Sequence, residues 1–166
     1  SFSKPDQEQR VPSNINMLLD EILLLQEKQL REHSIVILQD LQEDLPEVNA
    51  PKNQLRQVFL NLISNARDAM PEGGTLSVTT REMNDTILIE VSDTGTGIRD
   101  ENLKKIFDAF FTTKDTVKDV GLGLSVCYGF IRDHGGDIQV RSRVDAGTTF
   151  SITLPVHKGA DAAEAA

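Results

Sequence analysis

Gln57, Asn61, Asn65 and Asp68 recur at i, i+4, i+8 and i+11. In a helix that spacing puts them on one stripe. Asparagine is a poor helix former, because its side chain competes for backbone hydrogen bonds. Two of them one turn apart therefore carry a cost with no local gain. An amide oxygen is a fair ligand for a hard cation that keeps several waters, as Mg²⁺ does; a solvated polar face uses the same residue types. Further on, Asp93-Thr94-Gly95-Thr96-Gly97-Ile98 follows a predicted strand. A carboxylate at a strand end can accept a hydrogen bond from the exocyclic amine of adenine, and it would repel the carbonyl that guanine has there. An ordinary Asp-capped glycine turn reads the same way, and no G-x-G-x-x-G opens a helix here. Gly121-Leu122-Gly123 stands directly before a third predicted helix. Free N–H groups and the positive end of the dipole make such a terminus an anion site. No P-loop pattern accompanies it. Lys114, just upstream, either reaches a phosphate or is a surface lysine.

The 166 residues suit one domain, and 39% hydrophobic content argues against wholesale disorder. The net charge of −9 argues against nucleic-acid or anionic-membrane binding. It is unevenly placed: residues 1–50 hold ten acids and four bases, net −6, and the rest is net −3. Cys127 is the single cysteine, so no internal disulfide or multi-cysteine zinc site is available. It stands among Val126, Tyr128, Phe130 and Ile131 and reads as a buried thiol. The apolar runs are short and residues 1–12 are polar, so neither a membrane span nor a signal peptide is expected, and the reading is a cytosol-facing domain.

The elements that position these groups follow from periodicity and punctuation. Residues 1–12 read as a linker or the end of an upstream helix. Ser13 is expected to cap a helix running to about 33, with Ile15, Leu18, Leu19, Ile22, Leu23 and Leu25 on its apolar stripe. A strand over 34–38 follows, then a turn region with Pro46 and Pro51. The polar stripe belongs to a helix over 52–70 whose Leu55, Val58, Phe59, Leu62, Ala66 and Ala69 are expected to face the core. Strands over 75–82 and 86–92 form a hairpin about Asn84-Asp85. A short helix is expected near 101–107, the third helix over 124–134, and final strands over 137–144 and 148–155. The tail from 157 reads as loose and disordered. The fold class is α+β: a two-layer sandwich, with a mixed, mostly antiparallel sheet and helices on one face.

Taken together the segments resemble the ATP-binding catalytic domain of sensor histidine kinases, in the GHKL superfamily (Bergerat fold) shared with gyrase, MutL and the heat-shock chaperone ATPases. The matches, in order, are Asn61-Leu-Ile-Ser-Asn65-Ala66, Asp93-Thr-Gly95-Thr-Gly97-Ile98, Phe107-Asp-Ala-Phe110-Phe111-Thr112-Thr113-Lys114, Gly121-Leu122-Gly123-Leu124 and Gly147-Thr148-Thr-Phe150. They span roughly 13–156, and the subgroup resembled most is the nitrogen-regulation type. The resemblance implies ATP and Mg²⁺ as cofactors. Asn65 would be the Mg²⁺ ligand, with Asn61 supporting the metal or phosphates. Asp93 would read adenine, with Thr148 supporting it through water. Asp68 would touch water near Mg²⁺ or adenine. Gly95, Gly97 and Ile98 would form the hinge of a lid over 99–120, anchored by Phe107, Phe110 and Phe111. Thr112, Thr113, Lys114 and the backbone of Gly121, Leu122, Gly123 and Leu124 would hold phosphates, making Asn61, Asn65 and Lys114 the catalytic set. Asp119, Asp68 and Ala69 depart from the pattern: many relatives place Gly, a basic residue and an aromatic there. Arg67 is expected to point elsewhere on the helix.

The superfamily's hydrolytic branches resemble one another in having Glu at position 61 as base for water. An amide at Asn61 cannot accept a proton usefully, whereas neutral imidazole needs no base. The expectation is thus a protein-histidine kinase catalytic domain. None of His33, His134 and His157 begins the acceptor motif that the family carries. The implied partners are therefore a histidine-containing dimerisation domain outside this sequence and a response regulator, in a homodimeric parent that is cytoplasmic or membrane-anchored. A serine kinase of the anti-sigma-factor type and a non-catalytic nucleotide-binding interaction module remain open on the same residues.

Overall fold

The computed structural model describes residues 9–108 and 120–157. Its elements are β1 (Val11–Ser13), α1 (Ile15–Glu32), β2 (Ile35–Leu41), β3 (Val48–Ala50), α2 (Lys52–Ala69), β4 (Gly74–Met83), β5 (Thr86–Asp93), α3 (Asp100–Leu103), α4 (Val120–Asp133), β6 (Asp137–Arg143) and β7 (Gly147–Pro155). The main sheet runs β2-β4-β5-β7-β6. Only the β2–β4 pair in it is parallel; the other three pairs are antiparallel.

Strand alternation sets the layers. On β5, Ile87, Ile89, Val91 and Asp93 are buried, while the residues between them face the other side and are half exposed. Leu76 and Val78 on β4 and Phe150, Ile152 and Leu154 on β7 share the buried face, as period-two side-chain direction requires. The helices cover that face. α1 brings Ile15, Leu18, Leu19, Ile22 and Leu23, and α2 brings Leu55, Val58, Phe59, Leu62 and Ile63. Leu25, expected on the α1 stripe, falls just outside the buried arc and is exposed, and Ala69, at the end of α2, is only half-buried. The fold is the expected mixed sheet with helices on one side.

Three local expectations change. Asn14, not Ser13, caps α1: its side-chain oxygen accepts from the Met17 N–H at 3.1 Å. Ser13 is the last residue of β1 and its hydroxyl donates to the Ala50 carbonyl at 3.2 Å. Val11 and Pro12, read as linker, pair with β3, which occupies the region read as a turn. Three residues between Pro46 and Pro51 are too few to carry a periodic signal. The short helix near 101–107 is reduced to the four residues of α3.

Candidate functional site

The antiparallel register brings Asp93 opposite Thr148, at the ends of β5 and β7. Both are buried, at 9% and 5% exposure. The Gly95 N–H donates to the Asp93 carboxylate at 2.8 Å, and the Thr148 backbone N–H is a second donor. Burial nonetheless pushes this carboxyl above its ordinary value of 3.8, outweighing both donors. Asp93 is thus a desolvated acceptor with capacity for a further donor. The Thr148 hydroxyl meets Ser142 Oγ at 2.8 Å, and Ser142 Oγ also accepts from the Ile98 N–H at 2.7 Å. Ser142 therefore ties three parts of the loop region together. Sequence reading passed over it, because nothing in its strand distinguishes it from a solvent-facing serine.

The loop of Gly95 and Gly97 packs against backbone on both sides. A Cβ at Gly95 would lie 2.3 Å from the Ala69 carbonyl oxygen, and one at Gly97 would lie 2.1 Å from that of Arg143. Gly97 also has φ +75°. The Thr96 N–H donates to Ala69 C=O at 3.0 Å, and the Asp145 N–H donates to Thr96 C=O at 2.8 Å. The hinge implied for these glycines is, on the described residues, a wedge between the end of α2 and the β6–β7 turn. Ile98 packs on the core. Phe107 stacks near Tyr128 of α4 at 5.3 Å between ring centroids and near Phe150 of β7 at 6.4 Å. This aromatic contact joins the start of the lid region to the sheet.

The polar stripe of α2 lines a separate open cleft of about 510 Å³. Gln57, Asn61, Asn65, Asp68, Arg67 and Gly123 are among its walls. Arg67, expected to point away, is in this cleft: its guanidinium is 3.6 Å from the Asp68 carboxylate and bonds Gln26 and Gln29 of α1. A long side chain can swing to the neighbouring stripe, which helix angles alone do not register. Asn61 is half-buried; its Nδ2 donates to the Gly123 carbonyl at 3.3 Å and to Cys127 Sγ at 3.4 Å. Asn65 makes no side-chain hydrogen bond among the described residues. The amide oxygens of Asn61 and Asn65 and the carboxylate of Asp68 are hard oxygen donors on a wet surface. That set fits a Mg²⁺ ion that retains water. Among the described residues no group of three His, Cys, Asp or Glu side chains is placed to hold a metal.

Helix α4 begins at Val120, so Gly121, Leu122 and Gly123 lie inside its first turn rather than before it. The N–H groups of Gly121 and Leu122 still have no intrahelical acceptor, whereas that of Gly123, the fourth residue of the helix, is the first to have one. Leu124 is buried against the core. Phe110, Phe111, Thr112, Thr113, Lys114 and Asp119 lie outside the described residues.

Residues 50–158 match the family described as histidine kinase-, DNA gyrase B-, and HSP90-like ATPase. The chain belongs to this family. Among its relatives in the family, sporulation kinase E of Bacillus subtilis is 35% identical over 161 residues, 96% of this chain and 22% of that protein. Sensor kinase CckA of Brucella abortus is 47% identical over 127 residues, 68% of this chain and 13% of that protein. The catalytic domain of histidine kinase ThkA in a nucleotide-free form superposes with a TM-score of 0.81 at 33% identity, covering 89% of this chain and 96% of that domain. ThkA in complex with the response regulator protein TrrA gives 0.77 at 31% identity, over 89% of this chain and 42% of that one. The chain thus spans about a fifth or less of the first two relatives and nearly all of the ThkA catalytic domain. No helix among the described residues is long and apolar enough to cross a membrane.

Proposed function

We propose that this chain is the ATP·Mg-binding catalytic domain of a sensor histidine kinase, its nucleotide-binding unit lying within residues 13–156. The observation that carries the reading is Asp93: a buried carboxylate whose two partners are backbone N–H groups and whose desolvation is uncompensated. An exocyclic amine is the donor it lacks, and adenine carries one. Thr148 and Ser142 support that end through hydroxyls. Asn65 holds Mg²⁺, with Asn61 and Asp68 completing the polar wall. The metal supplies charge neutralisation of the phosphates. Lys114 and the free first-turn N–H groups of Gly121 and Leu122 hold the phosphate oxygens.

Transfer then requires only alignment. A neutral imidazole nitrogen on a dimerisation domain attacks the γ-phosphorus. A P–N bond forms as the bond to the β,γ-bridging oxygen breaks, and ADP leaves with the electron pair. Asn61 cannot take a proton from water, so hydrolysis is not assisted. A response regulator is the onward acceptor, as the ThkA–TrrA complex supports, and the parent works as a homodimer in the cytoplasm or at a membrane. Incubation with γ-labelled ATP tests this. The chain should bind ATP with Mg²⁺, stay unlabelled by itself, and transfer label to an added histidine-bearing dimerisation domain from its parent. Acid-labile label on the isolated chain, or hydrolysis at the rate of a chaperone ATPase, would overturn it.

A further inference from the structure

Asn61 sits at the centre of a cross-brace between two helices. Gln57 and Asn61 lie one turn apart on α2, and Gly123 and Cys127 one turn apart on α4. Gln57 Nε2 donates to Asn61 Oδ1 at 3.0 Å, and Asn61 Nδ2 reaches both Gly123 O and Cys127 Sγ. The two ends of the amide are not interchangeable. Gly123 C=O is an acceptor only, so the NH₂ group must face α4 and the oxygen must face Gln57. Both amide hydrogens are then engaged, and Oδ1 keeps acceptor capacity beyond the Gln57 bond. The packing is close: a Cβ at Gly123 would lie 3.1 Å from Asn61 Nδ2. Cys127 is fully buried, and Gln57 is exposed at the cleft rim.

We infer that Gln57 and Cys127 are positioning residues that act through Asn61, holding the first turn of α4 at a fixed distance from the Asn65 stripe. The two walls of the cleft are helices that pack directly on one another through the core, and the brace fixes their spacing at the polar, cleft-side edge of that contact. Their spacing decides whether the N–H groups of one and the amides of the other meet the same polyphosphate. The brace also accounts for Gly123 by a contact with Asn61, separately from any contact with phosphate. Its meaning rests on the nucleotide reading above, and the geometry of the brace does not.

A double-substitution cycle tests it, with affinity for a fluorescent ATP analogue read in Mg²⁺ and the nucleotide-free melting temperature read alongside. Gln57→Leu alters an exposed helix position, so the nucleotide-free melting temperature should stay at the parent value. Its dissociation constant should rise about fivefold, the effect of one neutral hydrogen bond. Cys127→Ala should raise it by about the same factor, and Cys127→Ser, which keeps an acceptor at the site, should restore most of the loss. Because both act on one amide, Gln57→Leu combined with Cys127→Ala should weaken binding by less than the product of the single effects. Parent-like affinity in Gln57→Leu, multiplicative effects, or equal losses in Cys127→Ser and Cys127→Ala would overturn the inference. A parent chain that fails to bind the analogue would instead remove the nucleotide reading, leaving the brace as a helix–helix contact.

Discussion

The Asp93 end and the Asn65 end of the molecule are built on opposite plans. At the first, the acceptor is buried, its partners are backbone N–H groups, and every supporting contact runs through strand ends. At the second, the donors stand on an open helix face, and the charged pair Arg67–Asp68 is partly exposed. A neutral, hydrogen-bonding ligand group needs a site shaped beforehand, because an unpaired buried donor or acceptor is expensive. A highly charged group brings its own metal and water, and a rigid, dry cage would only oppose it. On the proposed reading, selectivity belongs where desolvation is severe, and adaptable charge handling where solvent remains.

The sharpest way to break that contrast is Asp93→Asn. An amide can still accept from Gly95 N–H but presents no charge to an amine. Affinity for the ATP analogue should fall about a hundredfold, as for loss of a hydrogen bond to a charged group in a buried site. Stability should move the other way. The carboxyl titrates above its ordinary 3.8 because it is buried. Its contribution to folding is fully present below that value and lost as the pH rises through the higher folded value. At neutral pH the ionised form opposes folding, so Asp93→Asn should melt at or above the parent temperature there. The gain should close below pH 3.8. A variant that binds as the parent does would end the assignment of the Asp93 end.

Gly97→Ala tests whether the loop below Asp93 is a wedge. The new Cβ would meet Arg143 C=O at 2.1 Å in a backbone with φ +75°. A loss of about 3 kcal/mol in unfolding free energy is expected from chemical denaturation. A loss near zero would mean the loop is free to shift, and the contrast between a fixed end and an open end would weaken.

Asn65→Ala probes the open end. Binding should weaken about tenfold with Mg²⁺ present and scarcely change in EDTA. An equal loss in both conditions would point to direct contact with the nucleotide instead of the metal.

The smallest effect concerns Cys127. Burial, only partly offset by the Asn61 hydrogen bond, pushes its thiol from 9.0 to about 11. Its contribution to stability is intact below 9.0 and is lost as the pH rises through about 11. Cys127→Ser should flatten the alkaline fall in melting temperature over that window. A parent-like slope would place the thiol in a wetter environment.

Much of this was legible beforehand because it rests on short-range rules. The apolar stripes of α1 and α2, the Asn84-Asp85 hairpin and the sheet's two faces follow from periodicity and turn chemistry. The same holds for Asp93 at a strand end and the Gln57–Asn61–Asn65–Asp68 stripe. What escaped depends on distant partners. β3 exists only because β1 lies beside it. Asn14 caps α1 because Ser13 is claimed by Ala50 across the small sheet. Ser142 matters through Ile98 and Thr148, and Arg67 entered the cleft through its reach toward Gln26, Gln29 and Asp68. Gly95 and Gly97 carry a constraint that spacing alone does not reveal. Their missing side chains make room for the protein's own carbonyls.

The pairing of Asp93 with Thr148 has an evolutionary consequence. These two residues continue the same alternation that buries Ile87, Ile89, Val91, Ile152 and Leu154. A shift of one residue along either strand would send that whole set into solvent. Natural variation therefore cannot relocate the acceptor at this end without dismantling the core. The helix surface carrying Asn65, Asp68 and Arg67 is free of that packing constraint: a substitution there changes what the wall can hold without moving the core. The strand-end pair is thus fixed by folding and by ligand together, and the helical wall by its ligand alone.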